Sequence, residues 1–177
     1  MRDRDPVSVV TGMRLSASPA ETWDRLLFFE EIPRRPPLYL RLLLPAPLRT
    51  EGRRSEVGDE TRCVYEQGYL VKRVTRVDHR RHYGFAVVEQ SLAIGGGIRL
   101  TGGTYTLREL PSGGTRLELE TRYQRSRRPE WLWRRVEKAV CHAFHRYLLG
   151  SIRDEARMGS GGRDTDARRR ENLSERA

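Results

Sequence analysis

From Val57 to Gln124 the chain is cut by turn signals at intervals that leave room for strands and not for helices. Val57-Gly58-Asp59, Gly68, Asp78-His79-Arg80, Gly95-Gly96-Gly97 and Pro111-Ser112-Gly113-Gly114 separate the segments 61–67, 69–77, 81–90, 98–110 and 115–124. Successive strands at hairpin spacing predict an antiparallel meander. The last segment shows how its faces divide: Leu117, Leu119, Thr121 and Tyr123 alternate with Arg116, Glu118, Glu120 and Arg122, so one face is covered and one is solvated. Gly102-Gly103 inside the preceding segment predicts a bulge or sharp bend that lets the sheet curl.

A sheet with one apolar face needs a cover, and the C-terminal part of the chain supplies one. Over about 129–157, Leu132, Trp133, Val136, Val140, Ala143, Phe144, Tyr147, Leu148 and Ser151 recur at helical spacing, while Arg134, Arg135, Lys138, His142 and His145 project elsewhere. Ahead of the meander, Val7 to Leu15 alternates like a half-buried strand. Ser18-Pro19-Ala20-Glu21 then has the form of a capping box with proline in the first turn, opening a helix over about 19–30 with Trp23, Leu26, Leu27 and Glu30 on one face. Prolines 33, 36, 37, 45 and 47 bracket an apolar stretch, 38–44, that is two turns long if helical, either a short core helix or a lid over a cavity.

The chain has 177 residues. One domain is expected over 1–157, followed by a disordered charged tail over 158–177, where Gly159-Ser160-Gly161-Gly162 gives way to mixed charges. No apolar run approaches the roughly 20 residues that span a bilayer, and the first residues lack the apolar core of a secretion signal, so a soluble cytoplasmic protein is expected. Cys63 and Cys141, far apart and without a CxxC partner, are expected as free thiols. The formal charge of +10 suggests nucleic acid at first. Yet all but Lys72 and Lys138 of the 34 basic residues are Arg, scattered over apparent loops and polar faces, with no recognition helix, RNA-binding strand or zinc finger. No nucleic-acid partner is expected.

The order of strand, two short helices, antiparallel strands and one long C-terminal helix is similar to the helix-grip arrangement of the START-domain, birch-pollen-allergen and polyketide-cyclase superfamily, SRPBCC. Ser16-Ala17-Ser18-Pro19-Ala20-Glu21-Thr22-Trp23-Asp24 resembles its opening segment. Gly58-Asp59-Glu60-Thr61, Arg73 to Asp78 and Tyr83-Gly84-Phe85 resemble its central strands, and Gly102-Gly103-Thr104-Tyr105 through Gly113 to Leu117 its last hairpin. The resemblance implies an α+β fold, a curved antiparallel sheet wrapped around the long helix, with a cavity between them for a hydrophobic or amphipathic small molecule. Its lining would come from Phe85, Val87, Tyr105, Leu107, Leu119, Tyr123, Trp133, Val136, Val140 and Phe144, with Leu40 and Leu44 at the mouth. The expected function is transport, sequestration or sensing of a lipid or polyketide-like compound, with no cofactor and no integral membrane association; a homodimer is compatible with it. Two alternatives stay open: an enzyme like the polyketide cyclases, aromatases and dehydratases, and a protein-interaction domain like the Hsp90 activators.

Acid/base chemistry in such a cavity would need polar side chains on apolar faces. Glu89 continues the series Tyr83, Phe85, Val87 on one strand face. It is either an inward carboxylate that orients a ligand or acts as a base, or a strand-end group paired with an arginine. Tyr65, Lys72, Arg73, Arg99 and Tyr123 are further candidates, and a cyclase would need Glu89, Tyr65, Arg73 and Tyr123 to converge. A one-residue slip reverses every such assignment. His142 and His145 lie away from the helix stripe with no carboxylate at ligand spacing, so no metal site is expected. His79 and His82 are expected in solvent, and Cys141 as a boundary residue rather than a nucleophile. GxSxG, Walker, GxGxxG and HExxH motifs do not occur.

Overall fold

The computed structural model describes residues 6–28, 47–92, 94, 97–124 and 133–153. Its elements are β1 (Val7–Leu15), α1 (Pro19–Phe28), β2 (Pro47–Gly52), β3 (Glu60–Tyr65), β4 (Gly68–Asp78), β5 (His82–Gln90), β6 (Arg99–Glu109) and β7 (Thr115–Gln124), followed by α2 over 133–153. The strands form one antiparallel sheet in the order β1-β7-β6-β5-β4-β3-β2. The anticipated meander is therefore present, extended at one edge by β2 and at the other by β1. The segment 38–44 and the tail 158–177 lie outside the described residues, as do Leu40 and Leu44.

β2 was not anticipated from its sequence, Pro47-Leu48-Arg49-Thr50-Glu51-Gly52, which is mostly polar and begins with a proline. Its position at the sheet edge is what makes this composition tolerable, because an edge strand has N–H positions that need no ladder partner. At α1 the capping box forms: Glu21 N donates to Ser18 Oγ at 3.3 Å, and Ser18 N donates to Glu21 Oε2 at 3.2 Å. Each side chain thereby satisfies a backbone N–H that the first turn leaves without a helical partner.

α1 and the C-terminal half of α2 close one end of the concave face. Trp23, Leu26, Leu107, Leu117, Leu119, Leu149 and Ile152 form a core cluster with Leu15, and Trp23 is 1% exposed at its centre. A second, smaller cluster of Leu70, Leu92 and Ile94 lies towards the β3–β4 hairpin, joined by Tyr65, Val87, Ile98 and Leu100.

Besides the skip of Leu48 on the edge strand β2, three one-residue insertions interrupt the ladders. Thr75 on β4, Val88 on β5 and Thr101 on β6 are skipped in the pairings of their strands. The anticipated bend at Gly102-Gly103 coincides with the third. Gly102 has φ +156°, and a Cβ there would lie 2.4 Å from the carbonyl oxygen of Phe85 on the neighbouring strand. Replacing it with alanine forces β5 and β6 apart. Gly102→Ala should lower the unfolding free energy in urea by roughly 2–4 kcal/mol. Gly12→Ala, whose Cβ meets nothing closer than 3.5 Å, should stay within about 1 kcal/mol of wild type. Equal losses for both would show that the β5–β6 approach is not what requires glycine.

Candidate functional site

The concave face of the sheet can be traced from register and burial. β7 presents Leu117, Leu119, Thr121 and Tyr123, as the alternation predicted. Opposite them β6 places Leu107, Tyr105, Gly103 and Leu100, and β1 places Met13, Thr11, Val9 and Val7. β5 adds Tyr83, Phe85 and Val87, paired with Val77, Val74 and Lys72 of β4.

α2 does not meet this face along the expected stripe. The buried side chains include Glu137, His145, Leu149 and Ile152, with Cys141 half-buried between them. Each lies one position beyond Val136, Val140, Phe144, Leu148 and Ser151 of the stripe read from hydrophobicity, of which Ser151 is itself buried and Leu148 packs against the Trp23 cluster. Val136 is 45% exposed and does not face the sheet; Trp133, Val140 and Phe144 are half-buried along the flank. The reason is polar. His145, expected to project away from the covered side, is fully buried, with Nε2 2.8 Å from Thr121 Oγ1 and Nδ1 2.9 Å from Thr11 Oγ1. A neutral imidazole donates from one nitrogen and accepts at the other, and a hydroxyl completes either arrangement. Thr11 Oγ1 is also 2.7 Å from His142 Nδ1. Since a hydroxyl has one proton, at least one of the two Nδ1 atoms donates to Thr11. Cys141 Sγ lies 3.5 Å from His145 Nε2.

Burial, with a smaller contribution from the neighbouring His142, pushes the His145 pKa down to about 4. Burial likewise pushes the Cys141 thiol up to about 11, against a hydrogen bond with Thr121 that lowers it. The thiol is therefore protonated at neutral pH and a poor nucleophile. Among the described residues, no His, Cys, Asp and Glu cluster of three or more could hold a metal ion.

Towards β3 and β4 the concave wall is more open. Phe85, Val87 and Tyr105 are half-buried, with the Phe85 and Tyr105 ring centres 6.5 Å apart. Gly103 lies under the Phe85 ring, where a Cβ would come within 2.8 Å of Cζ. Lys72 Nζ is 5.2 Å from the centre of the same ring, a cation–π geometry. Pairing between β5 and β6 stops at Ala86 and Gly102. Beyond that point Gln90 replaces the ladder: its Nε2 donates to Leu92 O at 2.8 Å and Ile98 O at 2.9 Å, and its Oε1 accepts from Leu100 N at 2.8 Å. The strand ends leave an open recess of about 340 Å³, lined by Val87, Val88, Glu89, Gln90, Arg99, Leu100, Thr101 and Gln124.

The four groups considered for acid/base chemistry do not come together. Glu89 is exposed on the outer face and hydrogen-bonded to the Tyr69 hydroxyl; that bond, before burial, raises the Tyr69 pKa. The extra residue Val88 causes this: Glu89 pairs with Val71 and Gln90 takes the inward position opposite the buried Leu70. Arg73 is also on the outer face, with Nη2 2.6 Å from Glu60 Oε1. Tyr65 is half-buried against the Leu70 cluster, and Tyr123 is 2% exposed. Leu107 and Leu119, anticipated as cavity lining, are closed into the Trp23 cluster.

No family model and no curated protein matches the chain. Solved structures do. TTHA0849 from Thermus thermophilus is 16% identical, with 87% of this chain and 99% of that one covered at a TM-score of 0.61. Ara h 8.0201 is 11% identical over 86% and 98% at 0.55, and the Aha1 dimer from Colwellia psychrerythraea 12% identical over 84% and 94% at 0.52. The fold is the helix-grip. Likeness at these identities establishes the fold and leaves function to the site. In the helix-grip frame, the buried Thr11–His145–Thr121 contact is what seats the gripping helix. Sequence patterning passed over it because it treats histidine as polar; the available sign was Thr121, a hydroxyl among the apolar residues of β7.

Neutral His145 stabilises the fold, and the sign follows from its shift. The native state holds the proton less tightly than the unfolded chain, whose histidine titrates near 6.5. Stability from this group is complete above about 6.5 and declines as pH falls towards 4. Urea unfolding between pH 7 and pH 4 should show wild type losing roughly 3 kcal/mol more than His145→Gln. Parallel pH profiles for the two proteins would assign the acid sensitivity elsewhere.

Proposed function

We propose that this protein binds a hydrophobic or amphipathic small molecule, of lipid or polyketide-like character, against the concave wall beside α2. The observation that supports this is the unequal filling of the concave face. Around Trp23 the side chains are closed, with Leu117 and Leu149 at 0% exposure. Around Phe85, Val87 and Tyr105 the wall is equally apolar but half-open. A concave wall of aromatic and aliphatic groups with a few polar groups at its margin is the usual composition of a small-molecule site. Glu89 and Arg73 lie on the opposite side of the sheet from Tyr65 and Tyr123, an arrangement that favours binding over cyclase-type acid/base chemistry. No helix among the described residues is long and apolar enough to cross a membrane.

Native mass spectrometry of the purified protein should reveal a co-purifying lipid-sized adduct. The neutral fluorophore N-phenyl-1-naphthylamine should bind saturably, and Phe85→Ala should weaken it about tenfold, the effect of losing most of one ring's buried contact. Val136→Ala, on the exposed side of α2, should leave it unchanged. Absence of both an adduct and saturable probe binding would refute the proposal.

A further inference from the structure

The two edges of the sheet are built differently. β2 is guarded: it is short, opens on Pro47, and skips Leu48 in its register with β3. Such features keep an edge from pairing with a further strand. β1 has none of them. It runs nine residues from Val7 to Leu15, in unbroken register with β7, and among the described residues no strand lies on its other side. Its outer-face residues Ser8, Val10, Gly12 and Arg14 are all exposed, Val10 at 52%. In an antiparallel pair alternate residues turn their N–H and C=O groups away from the partner, so this edge presents a row of donors and acceptors.

α2 places charge along the same edge. His145 reaches both Thr121 of β7 and Thr11 of β1, whereas His142 reaches Thr11. Passing round the helix from His145 to His142 therefore leads from β7 towards the free edge. At about 100° per residue, Arg135, Lys138 and Arg146 fall within about 40° of His142. All three are exposed, and among the described residues none of them is in an ion pair. Glu137, the acidic residue among the described positions of α2, lies about 140° away from His142. From Arg135 to Arg146 the helix rises roughly 16 Å, the length of about five strand residues. Leu15, at the end of β1, shares a core cluster with Leu149 and Ile152, so α2 follows β1 from Thr11 towards Leu15.

We propose that the β1 edge and the basic flank of α2 together dock an extended segment of a partner protein, added to the sheet as a strand beside β1, with acidic side chains at every second position. Backbone hydrogen bonds to β1 supply affinity, and the acidic side chains on the concave side meet Arg135, Lys138 and Arg146, which fixes the register. The intervening side chains lie beside Val10 and Gly12 on the outer face, where the neighbouring Glu120 and Glu118 of β7 disfavour further acids. A second copy of this chain does not fit, because β1 paired with its own copy brings two basic flanks face to face. Nucleic acid would use the charge and leave the edge unpaired. The surface is separate from the concave wall and does not depend on a ligand there.

The test is fluorescence anisotropy of the full chain with a labelled nonapeptide in which glutamate alternates with valine and threonine. It should bind saturably, at least fivefold more tightly than a peptide of the same composition whose glutamates are contiguous. Combining Arg135→Ala with Arg146→Ala should weaken it at least tenfold while leaving the circular-dichroism melt unchanged. An added strand pairs through one of its two edges, so N-methylation at alternate peptide residues should abolish binding in one phase and spare it in the other. Equal binding of the alternating and contiguous peptides, or equal effects of the two methylation phases, would show charge attraction without strand addition and overturn the proposal. Tighter binding of a nine-nucleotide single-stranded DNA, a sedimenting dimer that excludes the peptide, or no peptide binding at all would overturn it too. The peptide comparisons need no variant, so they decide the matter even if the double substitution folds poorly.

Discussion

The position of α2 on the sheet depends on one buried imidazole. His145 connects the helix to Thr121 of β7 and Thr11 of β1, strands that are neighbours in the sheet. Turning the helix by one residue would bring the Phe144 ring against two hydroxyls, each then left without its partner at a cost of about 1–3 kcal/mol. The apolar pattern of α2 is broad enough to accept either rotation, since Val140, Phe144 and Leu148 are apolar and so are Leu149 and Ile152. Hydrophobicity therefore brings the helix to the sheet, and hydrogen bonding selects its rotation. From that selection follows which side chains line the concave space, including the outward turn of Val136.

This division explains what was legible in the sequence. Where one rule acted alone, the residues stated it: the strict alternation of β7, the capping box at Ser18 and Glu21, and the turn at Pro111 to Gly114 all correspond to the structure. Where a polar network or an edge position competed with patterning, the residues misled. His145 counts as polar in any periodicity analysis, but burial in neutral form between two threonines makes it a core residue. Pro47 weighs against a strand, yet only in the interior of a sheet.

The single-residue insertions account for the remaining misplacement. Alternation has a period of two, so Val88 alone exchanges the faces of everything after it on β5. Glu89 accordingly joins Tyr69 on the outer side, and Gln90 turns inward to bridge backbone groups that β5 and β6 no longer share. Nothing in Val87-Val88-Glu89-Gln90 marks the insertion, because both valines suit either face. At β6 the corresponding insertion is visible, since Gly102 occupies a backbone conformation and a close approach that a side chain would disturb. The open recess exists because these two irregularities face each other across one strand boundary.

The same geometry sorts the charge. Arg73 with Glu60 across β4 and β3, and Arg76 with Asp78 and Arg116 with Glu118 along their own strands, pair on the outer side, each at least partly exposed to water. Pairs of this kind contribute little to stability, and their effect here is to keep the basic surplus at the outside. A net positive surface raises the local concentration of anions without choosing among them, and salt screens it over about 10 Å. Selection needs a charge held where water is scarce and the neighbouring surface is apolar. Among the described strand residues of the concave face, the charged side chain with such surroundings is Lys72, beside Phe85 and opposite Val87.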